Sequence, residues 1–170
     1  MTRVVLIGLA ACLLAAGCDG GKLAVAPPHF RAAPGWRVGT RPEHACVSYS
    51  RKQCVEASGW ASTVKYRGDG ENTPPSRTLA ALPPDGIVIQ LTNYRDNLPA
   101  RRPSTGPWPP RIRARDVGAG FEGEPETQGS FQYLVRTGTT SRYLFVWFGR
   151  AHPTARQVAR ANAELRRTGP

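Results

Sequence analysis

FQYLVR (131–136) and RYLFVWF (142–148), joined by TGTTS (137–141), predict a β-hairpin. The second arm is apolar on both faces. A strand of that kind is typical of a sheet interior, where both sides are covered. The chain must therefore supply a second layer over this strand, either another sheet or a C-terminal helix.

The last twenty residues predict that helix. Thr154 and Gln157 have the spacing of a capping box, in which the N-cap and N3 side chains bond each other's backbone amides. A stripe of mostly small residues follows at helical spacing and favours close packing on a sheet, namely Ala155, Val158, Ala161 and Leu165.

Alternation and turn residues predict the other elements. Strands are expected at 36–38, 60–66, 87–92 and 111–115, a helical turn at 78–82, and loops at 93–110 and 116–130. The predicted fold is α+β: an antiparallel β-sheet or small β-sandwich of roughly five to seven strands, with one C-terminal α-helix packed on it. Residues 35–170 are expected to form one globular, mostly β domain.

The chain begins with an export signal. Arg3 precedes an apolar run over 4–16, which ends in small residues. Thirteen apolar residues are too few to span a bilayer, which takes about 20 in a helix. The segment therefore predicts export and not a membrane-spanning helix.

Leu13-Leu14-Ala15-Ala16-Gly17-Cys18 resembles the lipobox of bacterial lipoproteins. The resemblance implies that residues 1–17 are a signal peptide, and that Cys18 is acylated after cleavage before it. The protein would then be anchored in the cell membrane by lipid, facing the extracytoplasmic side. Residues 18–34 would form a tether in which Phe30 is a candidate to contact the domain. An ordinary signal peptide, with secretion and no lipid, is the alternative.

The end of the chain carries a second, less specific resemblance. A strand over 143–149, then His152-Pro153-Thr154 and an Ala/Arg-rich helix are similar to the tail of small exported actinobacterial proteins. Those proteins have no assigned activity, so this resemblance implies none for this chain.

Charge narrows the range of partners. Removal of residues 1–17 leaves 22 basic and 12 acidic residues, a net charge of +10. Such a protein is attracted to anionic lipid, acidic wall polymers or an acidic protein partner. Nucleic acid is not expected, because it is foreign to this compartment and the chain carries no usual nucleic-acid-binding motif.

Cys46 and Cys54 are the pair left after Cys12, in the signal, and Cys18. In an oxidising compartment an isolated pair predicts a disulfide. The alternative is a metal site that adds His44 to both cysteines, but H-x-C-x7-C lacks a fourth ligand. No metal and no other cofactor is predicted.

Arginines give the most specific candidate site. Arg111, Arg113 and Arg115 would project from one strand face about 7 Å apart, with Arg101 and Arg102 approaching from the adjacent loop. Guanidinium groups arranged in this way bind phosphate, sulfate or carboxylate bidentately. The alternative is a solvated edge strand, whose charges prevent pairing with another chain.

Other chemistry has weaker support. The alternating acids Glu122, Glu124 and Glu126, beside Asp116, lack the spacing of a known calcium loop. Three histidines have no evident nucleophile partner, and no hydrolase, zinc-protease or nucleotide-binding motif occurs. A carbohydrate site lined by tryptophan is the remaining option. Trp36, Trp60 and Trp147 are expected in the core, which leaves Trp108 as the candidate exposed aromatic.

These observations favour a non-enzymatic binding or accessory module of the cell envelope. A small wall-modifying hydrolase and a purely structural envelope lipoprotein are the alternatives. A convergent nucleophile and base would distinguish the hydrolase from the other two.

Lipidation makes the first testable prediction. Mass spectrometry of the membrane fraction should find a mature N-terminus at Cys18 carrying acyl chains. Cys18→Ser should release the protein from membranes, because the thiol that carries the lipid is gone. A soluble product cleaved at another residue, and unchanged by Cys18→Ser, would contradict lipidation.

Overall fold

The computed structural model describes residues 28–46, 53–67, 75–96, 107–119, 125–137 and 140–168. Its elements are β1 (Arg37–Cys46), β2 (Gln53–Ser62), α1 (Ser76–Ala80), β3 (Ile87–Asp96), β4 (Gly118–Ala119), β5 (Gly129–Thr137), β6 (Thr140–Phe148) and α2 (Ala155–Leu165). The strands form one antiparallel sheet in the order β1-β2-β3-β6-β5-β4. The predicted α+β class and the C-terminal helix are confirmed, and the strands form an open sheet.

The centre of the sheet is the pair β3 and β6. Ile89 lies opposite Val146, and Leu91 lies opposite Leu144. All four side chains are fully buried on the face that α2 covers, which we call the helix face. Helix α2 contributes Val158, Ala161 and Leu165 to the same core.

The opposite face is covered at one end by the segment around α1. Leu79 and Leu82 pack there against Val88 and Trp147, which are buried. Farther along β6, Tyr143 and Phe145 are half-buried. The apolar second arm of the predicted hairpin is thus covered on both faces at the end where β6 leads into α2.

Helix α2 begins as the sequence predicts. Thr154 Oγ1 accepts from the Gln157 amide at 3.2 Å, and Gln157 Oε1 accepts from the Thr154 amide at 3.0 Å. The two bonds complete the predicted capping box. Within the part of the chain that the structure describes, no helix is long and apolar enough to cross a bilayer.

The segment ahead of β1 lies on the helix face. Phe30 is 1% exposed and belongs to the core, so the fold includes residues before Gly35, the expected domain start. Pro28 lies so close to Gly59 that a Cβ there would collide with the Pro28 carbonyl oxygen. Gly35 has a φ of +75°, a conformation that favours glycine.

Three predicted strand limits are wrong. The strand expected at 36–38 is the start of β1, which continues to Cys46 because it pairs with β2 along that length. The strand expected at 60–66 is instead the end of β2, which stops at Ser62. Beyond it, the Thr63 amide and hydroxyl bond the Ile87 carbonyl, and Tyr66 folds back to stack on Trp60 at 4.3 Å. Strand β3 continues to Asp96, into the predicted loop, because it pairs there with both neighbours.

The backbone register bears on the predicted disulfide. Cys46 is the partner of Cys54 across β1 and β2. Directly opposed residues in antiparallel strands have Cα atoms about 4.5–5.5 Å apart, within the range that disulfides span. The cysteine side chains lie outside the described part of the structure, so the bond remains a prediction.

A disulfide between Cys46 and Cys54 makes the second testable prediction. Non-reducing peptide mapping should recover the linked pair. Reduction should lower the free energy of unfolding by about 2–3 kcal/mol, because closing this loop restricts the unfolded chain. The double variant Cys46→Ser/Cys54→Ser is the control that reduction should leave unchanged. Two free thiols titrated in the native protein would contradict the bond.

Candidate functional site: an arginine-lined groove

The arginine segment is not the predicted strand. Residues 110–113 are irregular, and Ala114–Asp116 form a 3-10 turn. Asp116 causes the turn: its Oδ2 accepts from the Arg113 amide at 3.1 Å, and its own amide donates to the Arg113 carbonyl at 2.9 Å. These bonds satisfy Arg113 locally and leave its backbone without a strand neighbour.

Asn162 of α2 takes the place of that neighbouring strand. Its Oδ1 accepts from the Ile112 amide, and its Nδ2 donates to the Ile112 carbonyl, both at 2.9 Å. The Ile112 side chain is 2% exposed and belongs to the core. Because backbone alternation places flanking side chains on the other side of an extended segment, Arg111 and Arg113 face solvent.

An open groove of about 570 Å³ lies between this segment and α2. Ile112, Val158 and Asn162 line it together with three alanines, Ala114, Ala155 and Ala159. The charged lining residues are Arg111, Arg113 and Arg166. Guanidinium groups beside a small-residue floor leave room for a ligand to approach them closely.

The three groove arginines form no ion pair with any residue that the structure describes. Their neighbours differ in this respect. Arg115 lies 3.9 Å from Asp116, and Arg167 donates to Glu164 at 3.2 Å. The groove therefore keeps its positive charge, whereas these two arginines are partly neutralised.

Glu164 is the buried carboxylate of α2. Its side chain is fully buried, and its Oε1 has no hydrogen-bond partner among the described residues. Burial raises the pKa of Glu164, and the hydrogen bond and charge of Arg167 oppose that rise. Burial removes the carboxylate from the surface, so it does not compete for the groove.

The structure brings together only part of the predicted site. Arg111 and Arg113 share the groove, while Arg115 turns towards Asp116. Arg101 and Arg102 lie outside the described residues, as do Cys18, Glu122 and Glu124. Arg166 was not predicted to join the site, because contact between a helix end and residue 113 depends on tertiary packing.

The aromatic candidate is also corrected. Trp108 is half-buried and packs on the core, and the Arg142 guanidinium lies 5.5 Å from its ring centroid. Trp36 and Trp147 are buried as expected, whereas Trp60 is half-buried against Tyr66. Within the described ranges, no cluster of three histidine, cysteine or acidic side chains could hold a metal ion.

Comparisons with known proteins leave the family open. No family model matches the chain, and no solved structure matches it. The chain is 35% identical to Patellin-1 of Arabidopsis thaliana over 72 residues. This matched segment is 42% of the chain. The chain spans 12% of the length of that protein, so the likeness carries no activity to this chain.

Asn162 makes the third testable prediction. Asn162→Ala removes both bonds to Ile112 and leaves a partly buried amide and carbonyl unpaired, at a cost of about 1–3 kcal/mol. Urea unfolding should show that loss. Arg156→Ala, on the exposed side of the same helix, should change stability by less than about 0.5 kcal/mol. Equal stability of the two variants would show that Asn162 does not hold the segment.

Proposed function

We propose that this chain is a lipid-anchored, non-enzymatic binding or accessory module of the bacterial cell envelope. It is held at the extracytoplasmic membrane surface through Cys18 and binds an anionic ligand in the arginine groove. The observation that carries the proposal is the convergence of Arg111, Arg113 and Arg166 on one concave surface without an acidic partner among the described residues.

The structure weakens the main alternative for these arginines. Charges on an edge strand protect it from pairing with another chain. Residues 110–113 are not in a strand, and the edges of the described sheet are β1 and β4. Protection of a sheet edge therefore does not explain why positions 111 and 113 carry arginine, whereas binding of an anionic ligand does.

The lining of the groove fits binding better than catalysis. Arginine donates planar, bidentate hydrogen bonds that match phosphate, sulfate and carboxylate oxygens. A hydrolase needs a nucleophile within hydrogen-bond reach of a base. The described lining residues include no serine, cysteine, histidine or acid, so the groove offers an anion donors but no attacking group.

A triple substitution tests the groove and makes the fourth prediction. Arg111→Gln/Arg113→Gln/Arg166→Gln, in the mature chain with Cys18→Ser, should weaken the binding of linear polyphosphate by about threefold to 150-fold. Each exposed charge pair contributes about 0.2–1 kcal/mol. The affinity of the parent chain should also fall with salt, because exposed charges are screened. Titration calorimetry measures both effects.

The matched control removes the same charge elsewhere. Arg37→Gln/Lys65→Gln/Arg67→Gln changes three exposed residues that do not line the groove. It should lower the affinity far less than the groove variant. Equal losses from the two variants would mean that net charge alone attracts the anion, and the groove would then not be the site.

A further inference from the structure

Helix α2 presents arginine and alanine to solvent. Successive residues of a helix are 100° apart, and its buried side is formed by Gln157, Val158, Ala161, Glu164 and Leu165. The exposed residues beyond that side are Ala155, Arg156 and Ala159, followed by Arg166 just past the helix end. The exposed side of α2 thus carries positive charge and small side chains. The one carboxylate of the helix, Glu164, is buried.

A second basic concavity lies at the start of α2, on the side away from the groove. It encloses about 200 Å³ and is lined by Asp85, Arg150, Thr154, Arg156, Gln157 and Arg160. Arg150 Nε donates to the Pro84 carbonyl at 3.0 Å, and Arg160 Nη2 donates to the Gly35 carbonyl at 3.1 Å. Each guanidinium group donates one of these bonds, and that of Arg160 also lies 5.4 Å from the Trp36 ring centroid. The other N–H groups of both arginines have no acceptor among the described residues.

The two concavities and the helix between them form one basic surface. It comprises Arg111, Arg113, Arg150, Arg156, Arg160 and Arg166, with Asp85 as the carboxylate that lines it. None of these six arginines forms an ion pair with a described residue. We call it the helix-side basic surface.

The N-terminal segment reaches the domain on this same side of the sheet. Gly59, which Pro28 contacts, pairs with Leu91, and cross-strand partners direct their side chains to the same face. Leu91 packs in the core beneath α2, as does Phe30. The chain that leads back to Cys18 therefore starts from the helix face.

The length of that chain restricts how far the surface can lie from the bilayer. The chain takes ten residue steps from Cys18 to Pro28, which span at most about 35 Å. The domain can bring its helix face to the membrane without the chain passing around the sheet. Near an anionic bilayer, each arginine contributes about 1 kcal/mol.

We propose that the helix-side basic surface docks on anionic phospholipid headgroups of the membrane in which Cys18 is anchored. This inference rests on the lipid anchor of the proposed function and names its anionic partner. Docking in this way turns the opposite sheet face outward, with half-buried Trp60, Tyr66, Tyr143 and Phe145. That face is then presented to the envelope.

Vesicle binding tests the docking and makes the fifth prediction. The mature chain with Cys18→Ser should bind vesicles of about 30% phosphatidylglycerol in phosphatidylcholine, but not pure phosphatidylcholine. Arg150→Gln/Arg156→Gln should lower this partitioning about 25-fold, at about fivefold per arginine. Because Arg150 also bonds Pro84, Arg156→Gln alone, expected to cost about fivefold, is the second variant. Arg37→Gln/Arg67→Gln is the matched control.

The orientation is measured separately. Lipid that carries a gadolinium chelate should broaden the amide resonances of Ala159 and Ala163 on α2. It should leave unchanged that of Gln132, an exposed residue whose alternation in β5 places it on the opposite face. Broadening at Gln132 instead, or equal losses from the double variant and its control, would overturn the docking.

The result also separates the two proposals. Polyphosphate binding that depends on the groove arginines, without vesicle binding, would leave the proposed function standing and make a wall polymer the partner. If the triple variant Arg111→Gln/Arg113→Gln/Arg166→Gln binds polyphosphate as tightly as the parent chain, the groove is not the anion-binding site. The double variant Arg150→Gln/Arg156→Gln would still decide the docking, since neither residue lines the groove.

Discussion

The pairing of β3 with β6 buries apolar side chains on both faces of the sheet, so a cover is needed on each side. Where the strands meet α2, Ile87 and Phe148 face the helix while Val88 and Trp147 face the α1 segment. Burial of each large apolar side chain is worth about 1.5–3 kcal/mol. Both covers therefore contribute to the same central strands, and removal of either exposes one face of the pair.

The connection between β6 and α2 depends on a close backbone approach. The Gly149 amide donates to the Gly86 carbonyl at 3.0 Å, and a Cβ at Gly149 would collide with the Pro83 carbonyl oxygen. The Pro84 carbonyl, in the same turn, accepts from Gln157 Nε2 and from Arg150 Nε. The turn before β3 thus fixes the start of α2, and with it the position of every arginine on the helix.

Local patterns predicted the elements that local physics controls. The hairpin, the capping box of Thr154 and three members of the predicted α2 stripe follow from alternation, side-chain chemistry and helical spacing: Val158, Ala161 and Leu165 are buried. The fourth, Ala155, is exposed, because the packed side of the helix is rotated towards Gln157 and Glu164. The segment from Arg111 to Arg115 alternates like a strand but has no neighbouring strand. Asn162, fifty residues later, supplies its hydrogen bonds instead. That partner, and the place of Arg166 beside Arg113, depend on tertiary packing, which no local pattern encodes.

The strand order sets the sequence in which the sheet can be completed. Strands β1, β2 and β3 are neighbours in both chain and sheet, but the other edge of β3 pairs with β6. Until residues 140–148 are present, that edge carries unpaired amides and carbonyls, and until α2 follows them the helix face lacks its cover. The sheet described here is therefore completed only after β6 and α2 have been added to the chain. If the chain is exported as we propose, this order would keep the sheet incomplete while the chain crosses the membrane, until α2 has followed β6.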